Sequence, residues 1–231
     1  MNTPQKLVFL HTSHVLIPLF TDLANRLLPG VEIFHMSDDS LIKNTIRDGK
    51  LTENTSRRVA GMIDLARQGG ADVVLVTCSS IGRATELAAE SRDYPVLRID
   101  VAMAEQAVLA FAPGKPGRLG VAATLSTTLE PTVELLKATA ERLGREVEIV
   151  PGLAEGAFQA VLAGNTALHD ELLLKVLLKL RVDVDVVVLA QASMARVAAL
   201  LPPNEGAPIL SSPERAVQRA GEVLRDLKKR G

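Results

Sequence analysis

The chain has 231 residues, 47% hydrophobic and 23% charged, with one Tyr and no Trp, a composition typical of packed α/β proteins and unlike that of disordered ones. Its 26 Lys and Arg balance 27 Asp and Glu, which leaves no positive excess to neutralise nucleic acid phosphates or an anionic membrane, so neither is expected as a partner. The single cysteine excludes an internal disulfide, no Cys/His spacing suits zinc, no apolar run reaches spanning length, and the stretch MNTPQKLVFLHTSHVLIPLF lacks a leader pattern; a cytoplasmic protein is expected.

In chain order, 7-LVFLHTS-13 reads as a strand running into the polar loop 11-HTSH-14, followed by a helical pattern over 15–28. A second strand leads to Asp38, Asp39 and Ser40, the N-cap and first turn of a short helix over 41-LIKNTI-46. A helical pattern over 55–68 precedes the apolar run VVLV and the loop 77-TCSS-80. After PGKPG at 113–117, a turn sequence, comes 119-LGVAATL-125, the hydroxyl-rich 124-TLSTT-128, and helical patterns over 130–143 and 167–181. The run VVVLA then reaches 190-AQAS-193, and a last helix over 213–230 ends in Lys228, Lys229 and Arg230, which suit a helix C-terminus.

An internal repeat orders these elements. At an offset of 113 residues, 71-ADVVLVTCSSIGRA-84 falls on 184-VDVVVLAQASMARV-197, so that Asp72 meets Asp185, Ser80 meets Ser193 and Arg83 meets Arg196. Within a residue of that offset, Thr12 meets Thr124 and Pro18 meets Pro131. Each half reads as strand, helix, strand, short helix, helix, strand, helix, and the unalternating strands are those of parallel sheets covered on both faces. The expected fold is therefore α/β, two pseudo-symmetric doubly wound halves with parallel sheets and a ligand cleft between them. Residues 1–100 form the first half, 117–212 the second, and 213–231 a terminal helix packing back on one of them.

In such sheets ligands sit beyond the carboxyl ends of the strands, where helix amides point outward. Cys78 ends a strand there and falls opposite Gln191 in the repeat. Its first-turn field favours thiolate, giving a reactive thiol; the other reading is an inert buried cysteine. Ser79 and Ser80, with nearby amides, offer donors to a carboxylate, as do Thr124, Ser126, Thr127, Thr128 and Ser193. One of the Thr-rich cluster is expected to cap the helix led by Glu130 and Pro131; Thr12 and Ser13 likewise read as caps or as ligand donors. His11 reads as a second acid/base or as a partner of a neighbouring carbonyl, and His14 as the latter; His35 and His169 carry no constellation. No dinucleotide, P-loop or Gly-x-Ser-x-Gly motif is present.

The repeated strand–loop–helix with TCSS at 77–80 and AQAS at 190–193, together with 119-LGVAATLSTTLEP-131, resembles the aspartate/glutamate racemase superfamily over nearly the whole chain. The resemblance implies a cofactor-independent enzyme in which two cysteines, one from each half, flank the substrate's α-carbon and shuttle its proton. Cys78 is the first; Gln191 stands at the second position and cannot deliver a proton at neutral pH. It further implies a small carboxylate substrate and a homodimer; the apolar 171-ELLLKVLLKL-180 reads either as a dimer face or as a core helix. An isomerase or racemase with Cys78 as acid/base thiol is expected, Gln191 and His11 completing the candidate catalytic set. The alternatives are a decarboxylase of malonate-like acids, as in arylmalonate decarboxylase relatives beside the maleate isomerases, and a non-catalytic carboxylate-binding protein.

Overall fold

A computed structural model of the chain describes residues 4–202 and 205–230. Met1–Thr3 of the stretch inspected for a leader, and Gly231 after the last helix, lie outside the described residues. Two compact units divide the chain, one of residues 1–99 with 213–231 and one of residues 100–212.

The first unit holds strands β1 (Lys6–His11), β2 (Glu32–Ser37), β3 (Val73–Val76) and β4 (Val96–Arg98), all parallel, in the order β2-β1-β3-β4. Helices α1 (Ile17–Leu27), α2 (Asp39–Asp48), α3 (Glu53–Gln68) and α4 (Gly82–Glu90) connect them. One face of the sheet, through Val8, Leu10, Val74 and Val76, packs on Val59 and Ile63 of α3 and Ala84 and Ala88 of α4. Phe9, on the opposite face, packs against Phe20 of α1 with ring centroids 5.2 Å apart. Buried on both sides, β1 and β3 need no polar alternation, which is why they read as continuous apolar runs.

The second unit repeats the plan with β5 (Gly117–Ala123), β6 (Val147–Leu153), β7 (Val186–Leu189) and β8 (Ile209–Leu210), in the order β6-β5-β7-β8, again parallel. Its helices are α5 (Val101–Leu109), α6 (Ser126–Arg142), α7 (Ala157–Leu162), α8 (Thr166–Asp183) and α9 (Ala195–Ala198). α5 and α6 pack on Leu119, Val121 and Ala123, while α7 and α8 pack around Ala122, Val187 and Leu189.

The repeat is physical as well as textual. Asp72 Oδ2 accepts the amide of Lys6 at 2.8 Å and Asp185 Oδ2 that of Arg118 at 2.8 Å, so each aspartate ties the start of the unit's third strand to its first. The same residues' amides donate to the carbonyls of Lys6 and Arg118, 2.9 and 2.8 Å away. One helix in each unit comes from the other half of the chain. α5 follows β4 yet belongs to the second unit, and α10 (Ser212–Arg230) follows β8 yet lies almost wholly in the first. There Gln5 Nε2 donates to Leu224 O at 2.7 Å, and Gly221 has no Cβ to meet Leu28, whose Cδ2 lies 2.4 Å from where that atom would stand.

The structure departs from the sequence reading in two places. The short edge strands β4 and β8 extend each sheet beyond the expected three strands. α6 begins at Ser126, four residues ahead of the expected start, and runs through Pro131 inside the helix, so Ser126–Thr128 are its first turn rather than a loop. Among the described residues no helix is long and apolar enough to cross a membrane.

Candidate active site

In each sheet the chain reverses its winding between the first and third strands in sequence, and the loops leaving those two strands flank the reversal, the place where α/β sheets bind ligands. In the first unit these loops carry Thr12 and Ser13 after β1 and Cys78, Ser79 and Ser80 after β3. In the second they carry Thr124–Thr127 after β5 and Gln191–Ser193 after β7.

Cys78 is extended, with φ −134° and ψ 118°, and caps a single 3-10 turn over Ser79–Ile81 that leads into α4. Gln191 repeats this geometry with φ −128° and ψ 136° ahead of a 3-10 turn over Ala192–Met194. They are counterparts in structure as in sequence. The free, half-buried Cys78 thiol packs beside the α3/α4 face core. Burial pushes its pKa above the ordinary 9.0, against hydrogen bonds from the Thr12 side chain, the amides of Ser80 and Ile81, and the Ser80 side chain. The first-turn amides expected to favour the thiolate are therefore in place, joined by the Thr12 and Ser80 side chains, expected to serve a carboxylate or a cap, but desolvation outweighs them. Ser79, also buried, completes the turn.

Gln191 is engaged with Thr124. Its Oε1 accepts from the Thr124 amide at 2.7 Å and from Thr124 Oγ1 at 3.0 Å, and its Nε2 stands 2.8 Å from the same hydroxyl. Thr12 with Cys78 in one unit and Thr124 with Gln191 in the other are thus the same contact, made once by a thiol and once by an amide. At these loops the N-cap residues Ser13 and Leu125 make no side-chain capping bond. Thr127 Oγ1 is buried without a hydrogen-bond partner among the described residues, while Ser126 and Ser193 are exposed.

His11 does not join Cys78. Alternation along β1 sends it to the face of Phe9, where its ring lies 5.5 Å from that of Phe20, and it has no solvent exposure. Its Nδ1 meets Thr77 Oγ1 at 2.8 Å and its Nε2 meets His35 Nδ1 at 2.9 Å; His35 Nε2 in turn meets Thr21 Oγ1 at 2.9 Å. Burial and then the neighbouring His35 hold the His11 imidazole at about 4, and burial lowers that of His35 as well. Both ring nitrogens of His11 are thus engaged by Thr77 and His35.

Three residues overlooked or discounted in the sequence belong to such clusters. Thr77 and His35 complete the chain from His11. His169, buried on α8, contacts Asp170 at 2.9 Å, and Asp170 is also bridged by Arg196 of α9 at 2.6 Å. His14, by contrast, is an exposed surface partner of Asp39 at 3.1 Å. Asp38 caps α2 as expected, accepting from the Ser40 amide at 3.0 Å. Among the described residues no group of three or more His, Cys, Asp and Glu side chains is placed to hold a metal ion.

The fold has close counterparts among solved structures. A glutamate racemase isoform from Bacillus anthracis superposes with a TM-score of 0.76 at 17% identity, over 96% of this chain and 82% of that one. Allantoin racemase from Pseudomonas fluorescens gives 0.64 at 17% identity over 97% and 92%, and Picrophilus torridus aspartate racemase 0.64 at 13% over 94% and 94%. At such identities the likeness is one of fold. A search among curated proteins finds no match. The sequence pattern of the Asp/Glu/Hydantoin racemase family, however, matches residues 12–220, which takes in both strand-end loop pairs, and the chain belongs to that family of racemase-type enzymes.

Proposed function

We propose that the chain is a cofactor-independent isomerase of the racemase type acting on a small carboxylate, with Cys78 as its acid/base thiol. The observation that carries this reading is the donor set on the Cys78 sulfur, formed by the Thr12 and Ser80 side chains and the Ser80 and Ile81 amides. Desolvation keeps this half-buried thiol protonated at rest. When it passes its proton to a carbanion, those four donors stabilise the thiolate left behind, and the reverse transfer takes a proton from carbon. Ser13 and Ser79 at the strand ends of the first unit, and Ser126, Thr127 and Ser193 at those of the second, are the proposed carboxylate donors. A cytoplasmic homodimer is part of the same reading, and light scattering after size exclusion tests the dimer.

Gln191, held on Thr124, has no proton to give at neutral pH, and this favours a second reading. In a malonate-like acid the bond from the α-carbon to one carboxylate breaks, carbon dioxide leaves, and the electron pair stays on carbon. The Cys78 S–H then protonates that carbon and the thiolate recovers its proton from water. One thiol suffices for this lyase chemistry. A non-catalytic carboxylate-binding protein would keep the donors and show no turnover.

The test is proton NMR of small α-amino, α-hydroxy and dicarboxylic acids in heavy water, with the wild type and with Cys78→Ala. Exchange of the α-proton that vanishes in the variant is the expected result, and inversion against carbon dioxide loss separates the first two readings. Exchange that persists in Cys78→Ala refutes both. Ligand-induced thermal stabilisation without exchange selects the binding protein.

A further inference from the structure

The strand ends of the first unit carry a polar chain that the second unit lacks. The repeat sets Thr77 on Ala190 and His11 on Ala123; where His35 stands opposite Phe9 in the β1–β2 register, Pro151 stands opposite Val121 in β5–β6. The same fold thus closes around Ala, Ala and Pro. A buried imidazole hydrogen-bonded to a half-buried one is not needed to build it, and the pair occurs in the unit that holds the thiol.

The proton order along the chain follows from its far end. Thr21 Oγ1 donates to Ile17 O at 2.8 Å, so it accepts from His35 Nε2–H. His35 Nδ1 is then bare and accepts from His11 Nε2–H, and His11 Nδ1 is bare and accepts from Thr77 Oγ1–H. With both rings neutral, every donor finds an acceptor. A further proton on His11 Nδ1 would turn the Thr77 hydroxyl away toward Leu10 O, which lies 3.2 Å from it. Among the described residues no carboxylate hydrogen-bonds either ring to compensate such a charge. Lys6 of β1 is paired with Glu32 of β2 at 3.3 Å, and Arg26 of α1 with Glu214 of α10 at 3.4 Å. Asp72 at the start of β3 takes the Lys6 amide, Asp39 takes His14, and none of these, nor Asp22 of α1, hydrogen-bonds either ring.

We propose that Thr77, His11, His35 and Thr21 form a positioning chain for the Cys78 loop, one that holds only while both rings are neutral. Thr77 is the residue before Cys78; its hydroxyl, fixed by His11, sets the strand end from which the thiol loop departs. The lowered proton affinity of both rings keeps the chain intact at neutral pH. The proposal's bearing on catalysis rests on Cys78 as the working thiol, but its test reads the thiol without turnover, so the two fail separately.

Cys78 is the single cysteine, so the rate of its modification by 2,2′-dithiodipyridine, a reagent that attacks thiols in acid as well, reports the loop alone. Nitrogen-15 spectra of the histidine rings, recorded over the same pH series, are expected to show both rings as Nε2–H tautomers at neutral pH. As the pair takes up a proton, the modification rate should step up about tenfold, the factor that one pKa unit of coupling represents. Thr77→Val should abolish the step and Thr77→Ser restore it. Thr21→Val, which frees the far end, should move the ring titration and the step together. A ring in the Nδ1–H form, a wild-type rate without a step, a step kept in Thr77→Val, or a step that stays put while Thr21→Val shifts the rings would each overturn the proposal. So would a step that coincides with loss of far-ultraviolet circular dichroism, since it would then report global unfolding.

Discussion

His11 should make the first unit acid-labile in a defined pH window. Its imidazole is at about 4 in the fold against an ordinary 6.5, so between these values the unfolded chain binds more protons than the folded one. The stability this contributes is fully present above pH 6.5 and is lost as pH falls toward 4. At about 1.4 kcal/mol per pKa unit the loss comes to roughly 3 kcal/mol, a large share of a small domain's stability. Tyr94 is the single tyrosine and belongs to the first unit, so tyrosine emission during urea unfolding follows that unit. Curves at intervals from pH 7 to pH 4 are expected to show the wild-type midpoint falling. His11→Phe, whose ring joins Phe9 and Phe20, should start less stable but lose less over the window. His35, also lowered by burial, adds to the loss in the same window, whereas Asp38, Asp64 and Asp170, all held below 3.8, lose their contributions mainly at lower pH. A wild-type midpoint constant from pH 6.5 to 4.5, or an equal slope in His11→Phe, refutes the reasoning.

Other substitutions probe the frame of the site. Gln191→Leu removes the acceptor of the buried Thr124 amide and should cost about 1–3 kcal/mol, seen as a lower melting temperature and faster exchange of that amide. Gly82→Ala would set a Cβ 2.3 Å from Arg98 Cζ, and the buried guanidinium is fixed on Glu86 at 2.7 Å; a loss of about 1–3 kcal/mol in the Tyr94-reported transition is expected despite alanine's better helix propensity. Asp72→Ala and Asp185→Ala should each cost about 1 kcal/mol and speed exchange of one amide, Lys6 in the first case and Arg118 in the second. An effect of either on the other's amide would show that the units do not hold these contacts independently.

Much of this was readable from residues alone because parallel strands covered on both faces leave long apolar runs, and because two such runs ended in matching loops. VVLV before Cys78 and VVVLA before Gln191 place the turn of each sheet and the residues that flank it. β4 and β8, three and two residues long, lie at sheet edges where so short a run carries no period to detect. α6 was expected to start at Glu130 because a proline usually opens a helix, whereas Pro131 here follows a full hydroxyl-bearing turn. The thiol's neighbour Ser80 was visible as local sequence, whereas Thr12 reaches Cys78 from the loop after β1 and reads in the sequence only as a cap or ligand donor. The partnership of His11 with His35 was not, since it depends on strand register, which sets residues far apart in sequence side by side.

The exchange of closing helices sets an order on synthesis. Residues 100–212 are contiguous and include every strand and helix of their unit, so that unit can close as soon as they have left the ribosome. The first unit is made earlier yet waits for α10, whose Leu224 receives Gln5 and whose Gly221 fits against Leu28. Vectorial folding therefore runs out of sequence here: the half that is born first is finished last, and its Gln5 and Leu28 spend translation without the helix they pack against. A released chain truncated after residue 212 should yield a protease-resistant fragment of the second unit and a digestible first unit.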